Sequence, residues 1–207
     1  MDIRSPNEAA RKVLSATASA LLAVIWATFA YRHVNAFDET GEAALLLFCI
    51  SESVQAALFL ARWQPVTVSV HPFDWLVAIC GTFGPFFFVP LVSDAPPAAS
   101  VLVTAGVILQ IVGLASLNRS FGIVPARRRI RTGGLYRLVR HPMYASYFVL
   151  LTGYVAANAS AWNGIVCMFT LACLVLRMFR EEHHLRADPA YVRYMERVRY
   201  RVLPLVF

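Results

Sequence analysis

Arg140-His141-Pro142-Met143-Tyr144 stands where an arginine-dense loop, Arg119 to Arg140, turns into an apolar run that continues to Ala157. After a short break a second apolar run, Ala161–Phe179, ends at Arg180-Glu181-Glu182. Both runs are close to the lower limit of about 17 residues for a helix that crosses a bilayer core. Helices are the default here, because an open strand leaves its backbone polar groups unsatisfied in lipid. Read together, the runs form a hairpin whose two open ends carry charge. The rest of the fold follows from that reading.

Working outward, four further apolar runs precede the hairpin: Val13–Tyr31, Ala43–Ala61, Asp74–Val92 and Pro97–Leu117. The breaks carry loop chemistry, at Asp38-Glu39-Thr40-Gly41, Trp63-Gln64-Pro65, Ser93-Asp94-Ala95-Pro96-Pro97 and Asn158 through Gly164. The composition agrees, with 58% hydrophobic and 15% charged residues and a mean hydropathy of +0.58, whereas soluble domains carry about 25% charged residues. The fold class is therefore an all-α integral membrane protein. It is a multi-span bundle of five to six transmembrane helices, with a C-terminal helical hairpin and an interfacial amphipathic segment. No cleaved signal peptide is expected, since Val13–Tyr31 is longer than the 7–15 residues of a signal core. Oligomeric state is not written in the sequence.

The net charge is +7 and the pI about 9.6, with every cation but Lys12 an arginine. The arginines cluster at the ends of apolar runs, so topology and anionic headgroups explain them better than nucleic acid does. By alternate loops, one side holds Arg4, Arg11, Lys12, Arg62, the Arg119–Arg140 loop and the C-terminal arginines; the other holds Arg32 among acids, Glu42 and Asp94 included. The positive-inside rule then places both termini and the Arg140 loop in the cytoplasm, in the inner membrane. The four cysteines sit singly within apolar runs and read as packing residues. His183 and His184 lack metal-site spacing, so no metal is expected.

Within the spans, Glu52 and Gln55 fall at a depth that makes an ionisable group a candidate for function, the alternative being that Glu52 is protonated or hydrogen-bonded to a neighbouring helix. Gly81, Gly84, Pro85 and Pro90 predict a kinked third helix, while Gly106, Gln110 and Gly113 predict a close-packing face on the fourth. Past Arg180, Leu185, Tyr191, Tyr194 and Val198 recur at helix-like spacing among arginines, as in a segment lying along the interface.

At the hairpin mouth, Pro142 suits the first turn of a helix, leaving free amides beside guanidinium groups: a seat for an anion. Tyr144 adds an aromatic face at the same depth. The structural alternative is a helix start with snorkelling arginines and an interfacial tyrosine belt. Glu181 and Glu182 stand at the returning end and should approach His141 and Tyr144. Arg177 and Arg186 lie four residues before and after them, spacings that allow ion pairs along the helix.

The block from Gly133-Gly134-Leu135-Tyr136 to Arg140-His141-Pro142-Met143-Tyr144, then Glu181-Glu182-x-x-Leu185, then Tyr191-x-x-Tyr194-x-x-Arg197 and Pro204, resembles the isoprenylcysteine carboxyl methyltransferase family, which is related to the membrane phospholipid methyltransferases. The resemblance covers roughly Leu117 to Pro204. It implies a methyltransferase-like core over 118–207, with 1–117 supplying the N-terminal transmembrane helices of one compact domain. It implies S-adenosylmethionine as methyl donor, contacted by Tyr136, His141, Pro142, Tyr144, Glu182 and Leu185. Arg140, Glu181 and Arg197 would lie towards the reacting end as the catalytic set. The acceptor would be a lipid or prenylated small molecule held in the bilayer. This chain departs from the family at Ala187-Asp188-Pro189-Ala190-Tyr191, where F-G-x-x-Y is common and where Pro189 should break the helix. Its last basic run is one residue longer, so Arg201 competes with Arg197 for the same role. Rival readings are a phosphatidylethanolamine N-methyltransferase, an NADPH-dependent membrane reductase and a non-catalytic membrane binding protein.

Overall fold

A computed structural model describes residues 6–41, 43–91, 95–204 and 206; the loop and topology assignments that fall on Arg4, Glu42, Ser93 and Asp94, and the side chains of Arg11 and Lys12, lie outside the described residues. Seven α-helices and one two-stranded ribbon are described. Four of the helices are long and apolar enough to cross a membrane, spanning Val13–Glu39, Ala44–Ala61, Pro97–Ser120 and Ala161–Leu185. The chain is an integral membrane protein built from helices, as its composition requires.

Two compact units divide at Arg62 and Trp63. In the first, α1 (Pro6–Thr40) and α2 (Ala43–Ala61) form an antiparallel hairpin. Gly41 closes α1 with φ +71, a left-handed cap that residues with a Cβ rarely adopt. Contacts run down the hairpin in register. His33 stacks on Phe48, Trp26 meets Phe59, and Arg62 donates to the Ser19 hydroxyl at 2.8 and 3.1 Å. Glu52 Oε2 lies 2.7 Å from His33 Nδ1, so this half-buried carboxyl is met by the neighbouring helix. α1 is much longer than the run Val13–Tyr31 from which it was read.

In the second unit, α3 (Pro72–Phe83) starts on a His71 cap with a proline in its first turn. The third run was expected as a kinked helix, but the helix ends at Phe83. Gly84-Pro85 tightens into a 3-10 turn over Gly84–Phe87, and the chain then runs extended. Pro85 and Pro90 supply no N–H, so a continuous helix would lose two of its bonds. Asn163 takes over: its Oδ1 accepts from Val89 N at 3.0 Å, and its Nδ2 donates to the Val89 and Asn158 carbonyls at 2.8 Å. Irregular backbone at membrane depth is tolerated when protein groups satisfy it in this way.

α4 (Pro97–Leu117) and α5 (Pro142–Ala157) pack antiparallel at very short range. A Cβ at Gly106 would lie 2.7 Å from Leu150 N, and one at Gly153 would lie 2.7 Å from Val103 N. The predicted small-residue face of the fourth helix is thus a close approach to the fifth. This pairing belongs to the second unit.

α6 (Ala161–Leu185) begins on Ser160, whose side chain caps Asn163 N, and runs on past Phe179 through the acidic pair. It lies against α3, with Gly81 facing Leu174. β1 (Thr67–Val68) and β2 (Ala126–Arg127) form the antiparallel ribbon, tying the segment before α3 to the arginine loop. Pro189 does break the helix, and it also opens α7 (Pro189–Arg197), with Asp188 capping Ala190 N at 2.9 Å.

Candidate functional site

Tyr136 sits in a 3-10 turn, Gly134–Arg137, immediately before the helix start of α5. α7 lays Tyr191 and Tyr194 over it, and the Tyr194 hydroxyl donates to the Tyr136 carbonyl at 2.8 Å. Past α7 the chain turns back across the mouth of the hairpin. The Tyr200 and Arg201 carbonyls accept from the amides of Arg140 (2.9 Å) and His141 (2.7 Å). Two amides that the sequence left free for an anion are therefore spent on the C-terminal segment.

Glu182 is the electrostatic knot beneath this mouth and only 1% exposed. Its Oε1 accepts from Arg140 Nε at 2.8 Å and lies 3.1 Å from His141 Nε2. Its Oε2 accepts from Arg201 Nε at 3.2 Å and lies 3.6 Å from Arg186 Nη2, the i,i+4 pair anticipated from sequence. Arg140 also donates from Nη1 to the Val198 and Arg199 carbonyls. One carboxylate thus fastens α5, α6 and the C-terminal segment together.

Glu181 has the opposite surroundings. It is half-buried, its Oε2 accepts from the Tyr144 hydroxyl at 2.8 Å, and it lines a cavity that opens to solvent. Tyr136, Leu185, Tyr191 and Tyr194 form an aromatic wall at one end, with Leu117 and Ile130. Tyr144, Tyr147 and Arg177 also line it, as do Arg128, Arg129 and Arg131 of the loop. Burial pushes the Tyr136, Tyr191 and Tyr194 hydroxyls above the ordinary tyrosine range, so the wall is neutral at physiological pH. The Tyr191 hydroxyl is buried without a hydrogen-bond partner.

Of the residues read from sequence, Tyr136, Arg140, His141, Tyr144, Glu181 and Leu185 come together around this cavity. Pro142 is buried in the first turn of α5, and Glu182 lies behind the wall rather than on it. Arg197 is exposed on the last turn of α7, while Arg201 is the arginine that reaches Glu182. The anticipated Arg177–Glu181 pair is replaced by Tyr144: its hydroxyl holds Glu181, and Arg177 lies over its ring at 5.7 Å. Tyr147, one turn beyond Tyr144, and the loop residue Arg128 also line the cavity, although no motif marked them. The 3.6-residue period could have found Tyr147; nothing local could have placed Arg128.

These residues fit an adenosyl sulfonium. An aromatic wall suits a flat base, a buried orphan hydroxyl awaits a polar partner, and a carboxylate faces a position where positive charge would be welcome. No curated protein matches the chain. Residues 98–188, just under half of the chain and reaching from α4 to the end of α6, match the family model described as phospholipid methyltransferase, so the segment that builds most of this cavity is similar to a family of membrane methyltransferases.

Proposed function

We propose that the chain is an S-adenosylmethionine-dependent methyltransferase acting on a lipid-borne acceptor, with an isoprenylcysteine-type carboxylate as the first reading and the amine of phosphatidylethanolamine as the second. The observation that carries the reading is the pairing of Tyr144 with Glu181 across the α5–α6 mouth, on the wall of a solvent-open cavity. Arginine position supports a cytoplasmic mouth and cytoplasmic termini by the positive-inside rule. S-adenosylmethionine supplies a methyl group on a sulfonium: its S–C bond breaks as the acceptor forms a new bond to that carbon, leaving a neutral thioether.

The chain's own work is then positioning, which for an in-line displacement is the larger part of catalysis. Tyr136, Leu185 and Tyr191 would hold the base of a bound donor, and Tyr191 would offer it an unpaired hydroxyl. Glu181, held by Tyr144, would face the sulfonium of a bound donor and is the catalytic residue of this proposal. With a carboxylate acceptor no proton needs to move. With an ammonium acceptor the proton must leave first, and Glu181 is placed to receive it. Arg140 and His141 act through Glu182, holding the α5 start against the C-terminal segment, and are positioning residues. Arg197, exposed, keeps a role only at the rim.

Isothermal titration of the detergent-solubilised chain with S-adenosylhomocysteine and with NADPH tests the reading. S-adenosylhomocysteine should bind and NADPH should not; the reverse result would move the chain to the reductase alternative. Methyl transfer from labelled donor into extracted lipids, followed by mild base, then separates a labile ester from a stable N-methyl product.

A further inference from the structure

Arg177 is held differently from Arg140, Arg180 and Arg201 of the same unit. Arg140 and Arg201 are paired with Glu182, and Arg180 is paired with Asp74. Arg177 has no carboxylate within ion-pair distance among the described residues. It is held by neutral acceptors, with Nη1 donating to Thr82 Oγ1 at 3.2 Å and Nη2 to the Gly122 carbonyl at 3.1 Å. The Tyr144 ring covers one face. The third donor, Nε, is enclosed and has no partner. Glu181 is near enough for its charge to be felt, but its Oε2 is committed to Tyr144.

A guanidinium does not neutralise by losing its proton, and an enclosed charge with no carboxylate in direct contact is unfavourable. Here it persists on the wall of a cavity. Arg177 lies four residues, about 6 Å of helix rise, deeper into the apolar part of α6 than Glu181. A second guanidinium approaches the same spot: a Cβ at Gly122 would collide with Arg128, which also lines the cavity. Two cations therefore converge on Gly122 from different elements, and one of them keeps a donor in reserve.

We propose that Arg177 and Arg128 form an anion seat in the bilayer-side part of this cavity, which takes the oxyanion of an amphiphile, carboxylate or phosphate, whose tail remains in the lipid. The seat deepens the methyltransferase reading by naming the acceptor as a lipid with a negative group next to the reacting atom, and it rests on that reading only for the word acceptor. An ammonium amphiphile with no anion would be refused, since two guanidinium groups would face it.

The full chain in a nonionic detergent is titrated calorimetrically with dodecanoate, dodecyl phosphate and dodecyltrimethylammonium, and separately with S-adenosylhomocysteine. One or both anionic amphiphiles should bind saturably and the cationic one should not. Arg177→Met and Arg128→Gln should each weaken the anion by about tenfold or more, the scale of a lost charge-assisted hydrogen bond. Arg177→Lys should recover part of the affinity for dodecyl phosphate, where a point charge suffices. Competition by inorganic phosphate would identify the seat as one for free phosphate as well as headgroups, and a preference for dodecanoate would identify a carboxylate lipid. Equal anion affinity in wild type and variants, or equal binding of the cation, overturns the seat. Should Arg177→Met fail to fold, Arg128→Gln and Arg177→Lys decide the matter. If S-adenosylhomocysteine fails to bind wild type while the amphiphile pattern holds, the methyl-donor reading falls and the seat stands; the converse result removes the seat alone.

Discussion

Glu181 and Glu182 are adjacent in sequence and opposite in circumstance. Helical geometry turns neighbouring residues about 100° apart, so one carboxylate faces the cavity and the other faces Arg140, His141 and Arg201. Replacing Glu182 by Gln leaves the buried Arg140 guanidinium and the half-buried Arg201 guanidinium short of their counter-charge. The expected loss is on the order of 3–5 kcal/mol of stability, read as a large drop in unfolding midpoint in detergent. Glu181→Gln should leave that midpoint nearly unchanged and act on activity instead. The two wall tyrosines make a second contrast. Tyr194→Phe removes a donor from the buried Tyr136 carbonyl and should cost about 1–2 kcal/mol. Tyr191→Phe removes a hydroxyl with no partner, so stability should shift by less than about 0.5 kcal/mol. Binding of S-adenosylhomocysteine to that variant should nevertheless weaken severalfold. Burial also sets the pH response. The folded-state values of Tyr136, Tyr191 and Tyr194 are raised, so the stability they carry is present below the ordinary tyrosine value near 10 and is lost as pH climbs beyond it. Thermal unfolding between pH 8 and 11 should show the decline, and Tyr194→Phe should flatten it.

At the scale of elements, the α4–α5 contact depends on missing side chains. Gly153→Ala would push a methyl into the Val103 backbone, which cannot give way as a side chain would, and a loss of about 1–3 kcal/mol is expected. Gly164→Ala is the control: its site is open and helical, so a gain of a few tenths to about 1 kcal/mol should follow. Denaturant titration of the two variants side by side checks the pair. Such close contact explains how α5, only 16 residues long, is held in place. Its length falls below that of an independent span, and α4 supplies the packing that length does not. Asn163 plays a comparable part for the broken third run, where one amide side chain stands in for helical hydrogen bonds.

For the whole molecule, every residue lining the cavity belongs to the second unit, Trp63–Phe207. A chain truncated before Trp63 should therefore still bind S-adenosylhomocysteine, with calorimetry on the truncated and full chains as the comparison. The apolar runs, the breaks between them and the glycine spacing on α4 were all legible beforehand, because lipid allows few alternatives to a helix and because i, i+4 positions share a face whatever the surroundings. The His141–Tyr144 start and the Glu181–Glu182 exit were legible as neighbours for the same reason: a short turn must bring the ends of a hairpin together. Sequence could not tell which acid faces the cavity, that the third helix stops at Phe83, or that Arg201 rather than Arg197 reaches Glu182. The choice between Arg201 and Arg197 turns on how the C-terminal segment folds back over α5, and the end of the third helix on Asn163 of α6. The sequence by itself determined a helical membrane chain with a charged hairpin mouth, since hydropathy and turn chemistry act over a few residues. Only the tertiary structure decided which charges are consumed and which are left facing a ligand, because that depends on partners 40 to 60 residues away in the chain.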